Sequence, residues 1–122
     1  MTPHSILIID DDEQVRSLFR RVLEEAGYRV TEASNGPEGL SQFRESPTAL
    51  VITDLFMPKI DGLEVTMALR RESPTIKIIL LTGGSREVGL LDAPALHDAP
   101  RMMKKPITIA ALLEAVAQEL MD

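Results

Sequence analysis

Short runs of branched apolar residues recur along this chain, and they end abruptly at polar residues. The first run covers residues 6–9 and stops at three consecutive aspartates, and similar runs cover residues 49–53 and 76–81. Continuous apolar runs of this length are typical of strands that are buried on both faces. Strands of that kind belong to parallel sheets covered by helices, so this one pattern already predicts an α/β fold.

The stretches between the apolar runs carry apolar residues at helical spacing. A first helix begins after Asp12 and is stopped by Gly27, and a second opens at Pro37. A third helix follows Asp61, and the last one begins at Thr108, which is a suitable N-cap. The apolar face of the first helix consists of Val15, Leu18, Phe19, Val22 and Leu23.

Two further strands complete the alternation. Residues 28–33 fit a more exposed strand, and residues 101–103 fit a brief one after the least regular part of the chain. In that part, residues 86–91 favour one short helix, because nearby glycine and proline residues oppose a longer one. The alternation predicts a parallel sheet with helices on both faces, in a single domain that spans residues 1–122.

The composition excludes several classes of function. The chain has no cysteine, which excludes disulfides, thiolate metal sites and thiol catalysis. It carries 13 basic against 19 acidic residues, and a surface with a formal net charge of -6 is a poor partner for nucleic acid or an anionic membrane. Aromatic residues make up 3%, which disfavours a flavin site or a base-stacking surface. The first residues do not form an export signal and no apolar run is long enough to span a membrane, so we expect a cytoplasmic protein.

The polar residues that end the strands carry the chemistry. In a parallel sheet, the loops at the carboxyl ends of the strands form the crevice where ligands bind. Asp10 and Asp11 follow the first strand and Asp54 the third, so these carboxylates converge if the two strands are neighbours. Repulsion among them requires a compensating charge, which a hard divalent cation such as Mg²⁺ supplies. Thr82 after the fourth strand and Lys105 after the fifth would surround a phosphoryl group carried on one carboxylate.

Each of these features also has a purely structural interpretation. An aspartate triplet at a strand–helix junction often only caps the helix, which is the role we expect of Asp12. Thr82 with its two following glycines fits an ordinary turn, and the pair Lys104 and Lys105 fits solvated surface. Asp61 with the next glycine is most simply a turn that starts a helix. The placement of every feature at a strand's carboxyl end, in order, favours the functional interpretation.

Taken together, these residues resemble the receiver domain of bacterial two-component response regulators, of the chemotaxis-regulator-like kind, over essentially the full chain. The matching segments are Ile6-Leu7-Ile8-Ile9-Asp10-Asp11-Asp12-Glu13, Thr53-Asp54-Leu55-Phe56-Met57-Pro58, Asp61-Gly62, Thr82-Gly83 and Lys105-Pro106. No single segment is specific, but the ordered set with its spacing is highly specific. The resemblance implies a doubly wound, flavodoxin-like fold with five strands in the order 2-1-3-4-5.

The resemblance also implies a phosphoryl acceptor and a metal site. Asp54 would accept a phosphoryl group from the phosphohistidine of a sensor histidine kinase or a phosphotransfer protein. Asp11 would bind Mg²⁺ directly and Asp10 through water. Asp54 and the backbone carbonyl of Phe56 would complete the protein ligands.

The remaining site residues follow from the same resemblance. Lys105 would contact the phosphoryl oxygens, and Thr82 would move to hydrogen-bond them once Asp54 is modified. Phosphorylation would thereby switch contacts with a downstream protein or effector domain, without the chain acting as an enzyme on other substrates. Many receivers couple the threonine to an aromatic residue a few positions before the lysine, and here Met102 stands there instead. Phe56 lies two residues after the phosphoacceptor, where small or polar residues are common.

Three other classes of protein share parts of this pattern. A pseudo-receiver that only binds proteins would not need the complete set of acids, threonine and lysine. A hydrolase with an aspartyl nucleophile usually has a second acid two residues further on, where this chain has Phe56. A flavodoxin-like electron carrier shares the architecture but needs aromatic residues around its flavin. A phosphorylation assay separates these classes.

Overall fold

The computed structural model describes residues 3–83 and 100–121, and within them strands and helices alternate. In chain order these elements are β1 (Ser5–Ile9), α1 (Glu13–Glu25), β2 (Arg29–Ala33), α2 (Gly36–Glu45), β3 (Leu50–Asp54), α3 (Gly62–Glu72), β4 (Lys77–Thr82), β5 (Arg101–Lys104) and α4 (Ile109–Leu120). The expected strands and longer helices are all present, whereas the short helix expected at residues 86–91 lies outside the described residues. None of the helices in the two described ranges has the length and apolar character needed to cross a membrane.

The strands of the described chain form one parallel sheet in the order β2-β1-β3-β4-β5, which confirms the expected fold class and strand order. β1 and β3 are neighbours, with Ile9 paired to Thr53, and Asp54 at the end of β3 is paired to Leu81 of β4. The chain leaves β1 toward β2 on one side and reaches β3 on the other, so the strand order reverses between β1 and β3. Sheets of this kind bind ligands at that reversal, outside the carboxyl ends of the strands.

Two apolar clusters cover the two faces of the sheet. Because successive side chains of a strand point to opposite faces, β1 contributes alternate residues to the two clusters. The first cluster packs the sheet against α1 and α4, through residues that include Leu23 and Leu112. The second packs it against α2 and α3, through residues that include Phe43 and Val65. Burial of each such side chain stabilises the fold by about 1.5–3 kcal/mol, and the two clusters together fix the sheet that carries the loops.

Local sequence determines where the helices begin. Asp12 caps α1 by accepting hydrogen bonds from the backbone N–H groups of Gln14 at 2.9 Å and Val15 at 3.3 Å. Asp61 caps α3 and Thr108 caps α4 in the same manner. These contacts satisfy N–H groups that have no partner inside the helix. The expected starts of α1, α3 and α4 are therefore confirmed.

The apolar face of α1 differs from expectation at one residue. Leu18 is 44% exposed, although Phe19 and Leu23 on the same face are buried. Leu18 lies at the edge of this face, and a helix covers the core with an arc of only roughly 100°. The helix ends before Gly27 as expected, and this residue has a φ of 101°, which glycine adopts without strain.

Candidate functional site

Three carboxylates meet where the strand order reverses, as the sequence predicts. Asp10 directly follows β1, Asp11 is the next residue, and Asp54 ends β3. One carboxylate oxygen from each residue lies within 4.8 Å of the other two. Asp10 and Asp54 are almost fully buried, at 1% and 8% exposure, whereas Asp11 is exposed. The cluster therefore consists of two inner acids and one that faces solvent.

Only one of the two carboxylate oxygens of Asp10 has a hydrogen-bond partner among the described residues. Its Oδ1 accepts a hydrogen bond from the backbone N–H of Asp12 at 2.9 Å. Its Oδ2 is buried and has no hydrogen-bond partner among the described residues. Buried polar atoms are nearly always paired, so an unpaired carboxylate oxygen beside two other acids marks a place for a cation or its bound water. The donor set fits Mg²⁺, which prefers oxygen ligands.

A lysine offsets part of the negative charge. The Nζ of Lys105 lies 3.1 Å from Oδ1 of Asp54. Lys105 directly follows β5, and its backbone N–H donates to the carbonyl of Thr82 at 2.7 Å, which continues the pairing of β4 with β5 beyond the strand. The preceding residue, Lys104, is exposed. Only one of the two lysines therefore reaches the acids, as strand alternation predicts.

Burial makes the ionised form of both inner acids unfavourable. Desolvation raises the pKa of Asp10 above its ordinary value of 3.8, against the opposing effect of the Asp12 N–H group. Desolvation likewise raises the pKa of Asp54, although the ammonium of Lys105 opposes this shift. The lysine therefore compensates the cluster only in part, and a divalent cation would supply the missing positive charge.

Thr82 and Phe56 lie at the same edge of the sheet as the acids. Thr82 ends β4 and is buried, and its hydroxyl donates to the carbonyl of Met103 at 3.5 Å. Phe56 lies in the loop after β3 and is 55% exposed. Met102, which stands in place of the aromatic switch residue, is 38% exposed on β5. The movement of Thr82 and the metal contact of the Phe56 carbonyl stay predictions.

One further side chain, which the sequence motifs do not identify, reaches residues 10–12 after β1, here called the acidic loop. Nη1 of Arg16 donates to the backbone carbonyl of Asp10 at 2.7 Å, and its Nε pairs with Glu32 at 3.1 Å. The place of Arg16 in the first turns of α1 is a local signal, because helical side chains lean toward the N-terminus. Its partner Glu32 lies on β2, so the sequence alone does not show that the two residues are in contact.

The parallel sheet carries buried acids and a lysine at the point where its strand order reverses. These features define a class of flavodoxin-like α/β domains. The family profile of the response regulator receiver domain matches residues 6–117. The chain therefore belongs to the response regulator receiver family, a signalling domain of two-component systems, as its motifs indicate.

Two curated proteins illustrate the relationship at the level of sequence. The response regulator receiver protein CpdR of Brucella abortus is 32% identical over 115 residues, which cover 94% of this chain and 95% of CpdR. The response regulator MprA of Mycobacterium is 38% identical over 114 residues, which cover 91% of this chain but 48% of MprA. The chain thus spans nearly the whole of one relative and about half of the other.

Solved structures show the same relationship at the level of fold. The response regulator TrrA of Thermotoga maritima, solved in complex with Mg²⁺-BeF, has a TM-score of 0.85 and 35% identity, covering 96% of this chain and 99% of TrrA. The chemotaxis response regulator CheY4 of Vibrio cholerae has a TM-score of 0.88 and 26% identity, covering 98% of this chain and 100% of CheY4. Both similarities extend over nearly the whole chain.

Proposed function

We propose that this chain is a Mg²⁺-dependent phosphoacceptor, in which Asp54 receives a phosphoryl group from the phosphohistidine of a sensor histidine kinase or phosphotransfer protein. The setting of Asp54 carries the proposal. Its carboxylate is nearly buried, lies 3.1 Å from the ammonium of Lys105 and adjoins two further acids. Membership of the receiver family supports the same assignment.

The residues around Asp54 suit a direct transfer. A carboxylate oxygen of Asp54 bonds to phosphorus as the phosphorus–nitrogen bond breaks, and the electron pair of that bond stays on the donor histidine. The product is an acyl phosphate, and Lys105 is near enough to offset the negative charge of its oxygens. Thr82 would turn its hydroxyl from the carbonyl of Met103 toward the modified acid.

The metal would be held by oxygen atoms alone. Asp11 would bind Mg²⁺ directly and Asp10 through a water molecule, while Asp54 and the backbone carbonyl of Phe56 would complete the protein ligands. The unpaired, buried Oδ2 of Asp10 supports this arrangement. When bound, the ion would compensate the negative charge of the acids and of the phosphoryl oxygens.

We further propose that residues 1–122 act as one receiver domain, which signals by changing its contacts with a downstream protein or effector domain. The domain modifies only itself, so it is not an enzyme acting on other substrates. The net charge of -6 supports a protein, rather than nucleic acid or a membrane, as the direct partner. Because sensor kinases draw their phosphoryl group from ATP, we expect the chain to work in the cytoplasm.

Phosphorylation with a small acyl phosphate donor tests the proposal. With Mg²⁺ present, we expect a single hydroxylamine-sensitive phosphoryl group on Asp54, lost on chelation and in Asp54→Asn. Asp12→Asn is the matched control, because asparagine caps a helix as well as aspartate does, and labelling should persist. Labelling of Asp54→Asn at the wild-type level would contradict the assignment, and no labelling of the folded wild type would favour a pseudo-receiver.

A further inference from the structure

Arg16 ties the acidic loop to the neighbouring strand. Its side chain is only 15% exposed, and its guanidinium makes two contacts at once. Nη1 donates to the backbone carbonyl of Asp10 at 2.7 Å, and Nε donates to Oε1 of Glu32 at 3.1 Å. The planar fork of the guanidinium therefore links the loop after β1 to β2.

Glu32 is itself restrained from two other sides. Its Oε2 accepts a hydrogen bond from Nη1 of Arg20 at 3.0 Å, and its backbone carbonyl accepts one from Nε2 of Gln42 at 2.8 Å. The hydrogen bonds from Arg20 and Arg16 lower the pKa of Glu32, so its carboxylate is ionised at neutral pH. Arg16 is therefore anchored to a restrained, charged partner.

The carbonyl that Arg16 holds belongs to the peptide that joins Asp10 to Asp11. A peptide unit is planar, so fixing its oxygen also fixes the direction in which Asp11 leaves the strand. On the other side, the N–H of Asp12 holds Oδ1 of Asp10 at 2.9 Å and leaves Oδ2 for the cluster. We infer that Arg16 is a positioning residue, which sets the arrangement of Asp10 and Asp11 for Mg²⁺ before the ion binds. The inference rests on the metal site proposed above.

This role depends on shape rather than on charge. Glu32 balances the charge of Arg16 at close range, so the pair adds little net field at the acids. Lysine keeps the positive charge but has one ammonium group, which does not reproduce a fork between a carbonyl and a carboxylate. Arg16→Lys should therefore weaken Mg²⁺ binding nearly as much as Arg16→Gln does.

Arg20 provides the matched control. It pairs with the same Glu32 carboxylate at 3.0 Å and with Glu24 at 3.2 Å. Within the described part of the chain it makes no hydrogen bond or ion pair with the acidic loop. Arg20→Gln therefore removes a charge and one partner of Glu32, but the hydrogen bonds of Arg16 to Glu32 and to the carbonyl of Asp10 remain, as does the one from Gln42.

The experiment is a Mg²⁺ titration of the unphosphorylated protein, followed by backbone amide chemical shifts, with a metal-free melting curve for each variant. For Arg16→Gln and Arg16→Lys we expect the Kd for Mg²⁺ to rise by about tenfold, the usual size of effect for a residue that orients metal ligands. For Arg20→Gln we expect the Kd to stay within about twofold of wild type, because an exposed ion pair contributes little elsewhere.

The outcomes separate this inference from the function on which it rests. An unchanged Kd in Arg16→Gln, with only a lower melting temperature, would overturn the inference and leave the proposed function intact. A wild-type protein with no response to millimolar Mg²⁺ would overturn the metal site and the inference with it. If Arg16→Gln does not fold, Arg16→Lys decides the question, because it keeps the positive charge and loses only the fork. The Kd should rise in that variant too, and an unchanged value there would also overturn the inference.

Discussion

Asp10 lies almost completely buried after β1, with one carboxylate oxygen bonded to the N–H of Asp12 and the other without a partner among the described residues. An ionised acid in that setting loses hydration that the protein does not replace. Burial accordingly raises the pKa of Asp10, so the folded state keeps the proton at pH values where the unfolded chain has lost it. The charge of this residue therefore destabilises the metal-free fold.

We expect Asp10→Asn to raise the free energy of unfolding of the metal-free protein at pH 7 by on the order of 1 kcal/mol. An acid whose pKa is raised by folding makes the wild type less stable as the pH rises from the ordinary value of 3.8 through the raised one. The gain from Asp10→Asn should therefore shrink as the pH is lowered through this range. Denaturant unfolding at a series of pH values measures the difference.

Asp61→Asn is the control for that measurement. Asp61 caps α3 through its side chain and is not one of the clustered acids, so its replacement should give no comparable gain. A gain from Asp10→Asn that did not change with pH would show that burial of the charge is not its cause.

Phe56 places an aromatic ring two residues after the predicted phosphoacceptor, and the residue is 55% exposed. Hydrolysis of an acyl phosphate requires water in line with the bond to Asp54, and a polar side chain beside that path orients the water. We expect the apolar ring to exclude it, so Phe56→Asn should accelerate the decay of the phosphorylated protein several-fold, by about 1 kcal/mol in the barrier. The decay rate is measured at saturating Mg²⁺, with Phe56→Leu as the apolar control. Equal rates in wild type and Phe56→Asn would show that the ring does not govern access.

Among the elements, α3 is joined closely to the end of β3. The backbone N–H of Gly62 donates to the carbonyl of Leu55 at 2.6 Å. A Cβ at position 62 would collide with the backbone carbonyl oxygen of Asp54 and would lie 2.9 Å from Cα of Leu55. Both neighbours are backbone atoms, which cannot yield as the end of a flexible side chain does. The start of the helix and the position of Asp54 are therefore coupled.

We expect Gly62→Ala to lower the free energy of unfolding by about 1–3 kcal/mol and to weaken Mg²⁺ binding, because Asp54 must shift. Gly27→Ala is the control. Its φ of 101° strains an alanine by roughly 1 kcal/mol, but nothing lies within 4 Å of the added Cβ. That variant should be less stable with an unchanged affinity for Mg²⁺. Denaturant unfolding measures the change in stability, and calorimetric titration measures the affinity for Mg²⁺. An unchanged affinity in Gly62→Ala would show that the position of Asp54 does not depend on the start of α3.

Most of the elements could be predicted from the sequence because their signals are local. The apolar runs identify β1, β3 and β4, and Thr108 starts α4 by accepting a hydrogen bond from Ala111, three residues away. The exposure of Leu18 could not be predicted, because burial at the edge of an apolar stripe depends on what packs across from it. The elements therefore follow from local patterns, whereas the strand order came from the resemblance to receiver domains. The burial of single side chains depends on contacts between elements.

The candidate site could likewise be predicted from the sequence only in part. The proximity of Asp10 to Asp54 follows once β1 and β3 are known to be neighbours, which the resemblance to receiver domains implied. The hydrogen bond from the Thr82 hydroxyl to the Met103 carbonyl depends on the register of β4 against β5, which the sequence does not reveal. The contacts of Arg16 likewise need the packing of α1 on β2.

For the molecule as a whole, the net charge of -6 and the clustered acids both favour cations. A ligand that binds only the folded state stabilises it by mass action, by about 1.4 kcal/mol at a concentration ten times its Kd. We therefore expect Mg²⁺ to raise the melting temperature of the wild type, measured by scanning calorimetry.

Sodium chloride at matched ionic strength is the control for this measurement, because screening of a net charge stabilises a fold without any site. Asp54→Ala should respond equally to the two salts. If Mg²⁺ raised the wild-type melting temperature no further than sodium chloride does, the acids would not form a metal site.

β2 and β5 are the outermost strands of the described sheet, and each leaves one side of its backbone unpaired by another strand. Such edges are templates on which a second chain can add a strand, and open-ended addition of this kind leads to aggregation. Both strands are short, with five and four residues, and both carry charged side chains, Arg29 and Glu32 on one and Arg101 and Lys104 on the other. Short, charged edges resist that addition. The sheet that holds the acids in place therefore ends in two strands that disfavour the addition of strands from further copies of the protein.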